Sequence, residues 1–126
     1  MPPTEQHAVH TGLLRLRTSQ AGATRLIQLE GELDLASASA LEAELDAALG
    51  NGSGHVIVDM GELAFIDSTG LALLVAALGR DGDGPRLRFI RSRTPAVTKV
   101  LKLTGLDARL PFVDDPGGDG SASKTE

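Results

Sequence analysis

Val56-Ile57-Val58-Asp59-Met60 leads through Phe65-Ile66-Asp67-Ser68-Thr69-Gly70 into Leu71-Ala72-Leu73-Leu74-Val75. The first five residues are apolar except for Asp59, as in a strand covered on both faces. A short polar link comes next, with Phe65 and Ile66 expected to dip into the core. A helix follows over about residues 69–79, with Leu71, Leu74, Val75 and Leu78 as its buried stripe. A hydroxyl at such a helix start serves as a cap, a nucleophile or a phosphorylation site, and the choice among these decides what the protein does.

Upstream, Leu14 and Leu16 alternate with Arg15 and Arg17, the period of a half-buried strand. A second strand covers about residues 24–32, and the short connection between the two implies an antiparallel hairpin. Leu41, Leu45 and Leu49 recur every four residues and predict a helix over about 37–49, stopped by the Gly50-Asn51-Gly52-Ser53-Gly54 run. A strand over 55–60 then begins the central segment. Downstream, residues 81–85 turn the chain into a strand over 86–90. A third helix has Thr94 as N-cap and Pro95 at its first position, and Gly105 ends it. Residues 110–113 are candidates for a short last strand. The order β-β-α-β-α-β-α predicts an α/β fold: one domain over residues 11–113, with a mixed four- to five-stranded sheet and helices packed against it. The polar segments 1–10 and 114–126 are expected to be disordered tails.

Composition narrows the function. The chain has 126 residues and no cysteine, which removes disulfides, thiolate metal sites and a cysteine nucleophile. Three Phe with no Tyr or Trp leave no base-stacking platform. The net charge of −5 is concentrated in the C-terminal tail, where Asp114, Asp115, Asp119 and Glu126 outweigh Lys124. Direct nucleic-acid binding is therefore not expected. The longest apolar run, Leu71 to Leu78, is far short of the ~20 residues that span a bilayer. The N-terminus lacks a signal-peptide pattern. A cytoplasmic protein with no membrane association is expected, with a monomer as the default.

The chemical readings of Ser68 separate on what surrounds it. Activating a serine requires a base within hydrogen-bond reach. The three histidines are His7 and His10 near the N-terminus and His55 at the far end of the central strand. No catalytic residue is assigned. Asp34, Asp59 and Asp67 could gather at one end of the sheet, but caps and loop-amide contacts explain them more simply than a metal, and neither metal nor cofactor is expected. Asp67 or Ser68 can accept a bond from the free amides of the helix start. Gly70 is read as leaving the backbone open to a close-approaching partner.

Gly31-Glu32-Leu33-Asp34, Val56-Ile57-Val58-Asp59, Phe65-Ile66-Asp67-Ser68-Thr69-Gly70-Leu71 and Leu103-Thr104-Gly105-Leu106 together resemble the anti-sigma factor antagonists, which are single STAS domains. The resemblance covers about residues 11–113. It implies a non-enzymatic switch in which Ser68 is phosphorylated by a partner that is both anti-sigma factor and serine kinase. The unphosphorylated form binds that partner and frees the sigma factor, and a serine phosphatase restores it. By the same resemblance, Asp34 lies beside the phosphoacceptor, and Asp34, Asp67, Ser68, Thr69 and Gly70 form the partner surface. The alternative expectation keeps the fold but makes the chain a structural STAS subunit of a stress-signalling scaffold or lipid-transport complex.

Overall fold

The computed structural model describes residues 6–50, 54–81 and 86–114. Strand β2 (Leu14–Ala21) pairs antiparallel with both β1 (Gln6–Thr11) and β3 (Thr24–Leu33). β3 is followed by α1 (Ala38–Gly50), and β4 (His55–Ile66) by α2 (Ser68–Asp81). β5 (Leu87–Ile90) leads to α3 (Pro95–Leu103) and the short α4 (Leu106–Arg109). The sheet has five strands in the order β1-β2-β3-β4-β5, with β3, β4 and β5 parallel. This is the mixed α/β architecture that the alternating pattern predicts.

Right-handed crossovers between successive parallel strands put α1 and α2 on one face of the sheet. Their buried leucines, Leu41, Leu45, Leu73 and Leu74, meet Leu16, Leu29, Val58, Met60 and Phe89 from the strands and Val97 and Leu101 from α3. The opposite face carries the other half of each period-two pattern, with Arg15 opposite Glu30, Arg17 opposite Gln28 and Gln28 opposite Asp59. A cavity of about 150 Å³ on that face is lined by paired charges, including Arg15 with Glu30 at 3.9 Å and Arg93 with Glu62. Gly105 adopts φ +81°, the left-handed conformation that ends α3 where the sequence places its stop.

Four local expectations are corrected. Residues 6–10, expected in a disordered tail, belong to β1, because backbone pairing to β2 needs little apolar content at an edge. The remainder of both expected tails, 1–5 and 115–126, lies outside the described residues. β4 continues to Ile66 instead of ending at Met60. Its register against β3 slips twice, with Glu30 opposite Glu62, Gly31 opposite Leu63 and Glu32 opposite Phe65. Each slip inserts one extra residue in β4, so the strand loses the simple alternation by which sequence patterns reveal strands. The slips also set Phe65 opposite Glu32, 46% exposed, whereas Ile66 is buried as expected. Finally, the closing strand is reduced to a single parallel bridge between Phe89 and Phe112.

Candidate functional site

The end of β4, the start of α2 and the β3–α1 loop converge on Asp67. Its N–H donates to the Leu33 carbonyl at 3.1 Å, and its carbonyl accepts the first helical bond, from Leu71 N–H at 2.9 Å. Asp67 Oδ1 accepts the Gly70 N–H at 3.0 Å, which satisfies one of the open amides of the helix start. Asp67 Oδ2 accepts the Leu35 N–H at 3.2 Å, across 32 positions of sequence. The capping role that either Asp67 or Ser68 could have filled therefore belongs to Asp67.

Ser68 is the first residue of α2 and is exposed. Its hydroxyl has no hydrogen-bond partner among the described residues. Thr69 is half-buried and Gly70 is buried. A Cβ built on Gly70 would sit 2.8 Å from Ile66 Cγ1 and 3.0 Å from both Leu33 Cγ and the Leu33 carbonyl oxygen. Gly70 thus lets α2 start hard against the ends of β3 and β4. Its function is internal packing, and the expectation that it leaves backbone open to a partner is corrected.

Asp34 organises the neighbouring loop. Its Oδ1 accepts the Ala36 N–H at 3.1 Å and lies 3.2 Å from Ser37 Oγ. The buried Ser37 hydroxyl accepts the Asp34 N–H at 3.1 Å and donates to the Glu32 carbonyl at 3.0 Å. The structure therefore brings Asp34, Asp67, Ser68 and Thr69 to one end of the sheet, with Asp34 and Asp67 committed to backbone amides. Asp59 is committed elsewhere, to the Gly61 N–H at 2.8 Å. Among the described residues, no group of three or more His, Cys, Asp or Glu side chains is arranged to hold a metal. His55 begins the 12-residue β4 that ends just before the site, so strand rise alone places it roughly 35 Å from Ser68.

Sequence reasoning missed the apolar rim of this site. Leu35 is 78% exposed, Leu13 66% and Phe65 46%. Leu13 is joined to the site through its carbonyl, which accepts the Glu32 N–H at 3.0 Å. The available signal was Leu35 itself, an apolar residue between Asp34 and Ala36 just before the helix pattern begins. Nothing in the local pattern distinguishes such a residue from one that folds back onto the core.

The family model described as "Mlab, STAS domain" matches residues 16–114. The Bordetella bronchiseptica protein named "Putative anti-sigma factor antagonist BtrV" is 33% identical over 99 residues, 77% of this chain and 84% of BtrV. The anti-sigma-F factor antagonist RsfB of Mycobacterium tuberculosis is 26% identical over 82 residues, 65% of this chain and 66% of RsfB. Among solved structures, an anti-sigma factor antagonist from Mycobacterium paratuberculosis superposes with a TM-score of 0.71 at 25% identity, covering 79% of this chain and 84% of that one. SpoIIAA in its unphosphorylated form shares the fold, with a TM-score of 0.66 at 24% identity over 79% of this chain and 87% of that one. The chain belongs to the anti-sigma factor antagonist family of STAS domains, a family of non-enzymatic regulatory proteins.

Proposed function

We propose that this protein binds a kinase-type anti-sigma factor in its unphosphorylated form, freeing the sigma factor, and that phosphorylation of Ser68 abolishes that binding until a serine phosphatase reverses it. The observation that carries the reading is the division of labour at the start of α2. Asp67 takes the capping role, and the exposed Ser68 hydroxyl is left without a hydrogen-bond partner among the described residues. A hydroxyl that caps its own helix has one oxygen lone pair engaged by a backbone N–H, whereas the Ser68 oxygen is open for transfer of a phosphoryl group.

Magnitudes support an effect on the interface and not on the fold. A negative charge near a helix N-terminus is favourable by about 0.3–1 kcal/mol, so a phosphate on Ser68 does not unfold the domain. Against a partner carboxylate about 4 Å away, repulsion at a protein surface reaches about 4 kcal/mol per charge. Each ~1.4 kcal/mol is tenfold in affinity, so a fraction of that repulsion suffices to release the partner. The readings of cytoplasmic location and stress-responsive transcription belong to the same proposal.

The test is incubation of wild-type and Ser68→Ala protein with the cognate kinase-type anti-sigma factor and ATP. Mass spectrometry is expected to find one added phosphate on the wild type and none on the variant. The variant is expected to stay bound in the presence of ATP. Phosphate on the Ser68→Ala chain would refute the assignment.

A further inference from the structure

We infer that Asp67 is a positioning residue that holds Leu35 and Ser68 in one partner-facing unit, acting through the Leu35 amide and not by touching the partner. The inference rests on the partner-binding reading above. Asp67 is half-buried, and its two carboxylate oxygens serve two different segments: Oδ1 holds Gly70 N–H in α2, and Oδ2 holds Leu35 N–H in the β3–α1 loop. Its carboxylate thereby bridges the loop to the helix that carries Ser68. The adjacent amide, that of Ala36, is held by Asp34 at 3.1 Å. Two carboxylates thus fix consecutive backbone amides beneath Leu35, the most exposed large apolar side chain among the described residues at 78%.

Displaying an apolar side chain on a fixed loop reduces the ordering that association would otherwise require, which is how preorganisation raises affinity. Leu35 supplies apolar area at the rim, Ser68 supplies the switchable charge, and the Asp67 carboxylate sets their relative placement. Hydrogen bonds to a charged acceptor are the stronger class, so loss of the Leu35 bond releases the Leu35 amide, while Asp34 and Ser37 still hold the rest of the loop.

Asp67→Ser separates the two duties. A serine at this position is a good helix cap and can still receive the Gly70 amide, but its side chain is too short to reach Leu35. Hydrogen exchange on the chain alone, read at the Leu35 amide, is expected to speed up about tenfold in Asp67→Ser, while circular dichroism shows the helix content unchanged. With the kinase-type anti-sigma factor and ATP, the same variant is expected to show a KM about tenfold higher for phosphorylation at Ser68 with kcat unaltered. Should Asp67→Ser unfold, Asp67→Asn gives the same reading, since its one carbonyl oxygen can cap Gly70 but its amide nitrogen cannot accept from Leu35. Unchanged Leu35 exchange overturns the inference whatever the partner does. Faster exchange with an unchanged KM overturns the positioning role while leaving the phosphorylation reading intact. Absence of phosphate on the wild type removes that reading and the positioning role with it.

Discussion

Replacing Gly70 by alanine tests the packing on which the display of Ser68 depends. The added Cβ would meet Ile66 Cγ1 at 2.8 Å and the Leu33 carbonyl oxygen at 3.0 Å, closer than carbon atoms pack without displacement. One of those neighbours is backbone of β3 and cannot rotate away. Inserting a carbon into so tight a site costs about 1–3 kcal/mol. The gain from replacing a helical glycine by alanine offsets about 0.5–1 kcal/mol of this. The middles of these two ranges leave a net loss of about 1.25 kcal/mol, which lowers the midpoint of a domain near 100 residues by about 5–10 °C. Gly79 lies in the same helix with nothing within 4 Å of its would-be Cβ, so Gly79→Ala is expected to stabilise by about 0.4–1 kcal/mol. Thermal and urea unfolding followed by circular dichroism give both values in one buffer. If Gly70→Ala proved as stable as the wild type while Gly79→Ala gained, the close approach of α2 to β3 and β4 would be refuted.

Other expected outcomes follow the same geometry. Ser68→Ala should change stability by less than about 0.5 kcal/mol, since the hydroxyl is exposed and without a partner among the described residues. Ser92→Ala should cost about 1–3 kcal/mol in urea unfolding, because its buried hydroxyl donates to the Leu63 carbonyl at 2.8 Å and accepts the Thr94 N–H at 2.9 Å. Phe65→Ala, at a half-exposed rim position, should leave the melting midpoint nearly unchanged and weaken anti-sigma factor binding by about tenfold in calorimetry. Equal affinity for the Phe65→Ala and wild-type proteins would remove the apolar rim from the interface.

How far the site could be read from the chain depended on whether each signal was local. Ser68 at the head of a helix follows from the apolar stripe of Leu71, Leu74 and Leu78 and the polar residues before it. A cap at either Asp67 or Ser68 follows from residue type and place, and the Gly70 N–H bond to Asp67 Oδ1 settles it on Asp67. The Asp67 bond to Leu35 spans 32 positions and leaves no periodic trace, so no pattern of neighbours could announce it. Gly70 was misread for the same reason: the atoms that exclude a side chain there belong largely to Leu33, on another strand.

The sequence by itself determined the order of elements from β2 to α3, the parallel crossovers, the burial of Leu41, Leu45 and Leu74 and the place of Ser68, because strand and helix periods and turn residues act over a few positions. The tertiary structure decided the rest. It drew residues 6–11 into the sheet as an edge strand and carried β4 through two register slips to Ile66. It turned Phe65 outward, and it gave capping to Asp67 so that the Ser68 hydroxyl stands apart. These are contacts between segments distant in the chain, and backbone pairing and close packing set them only when the segments meet.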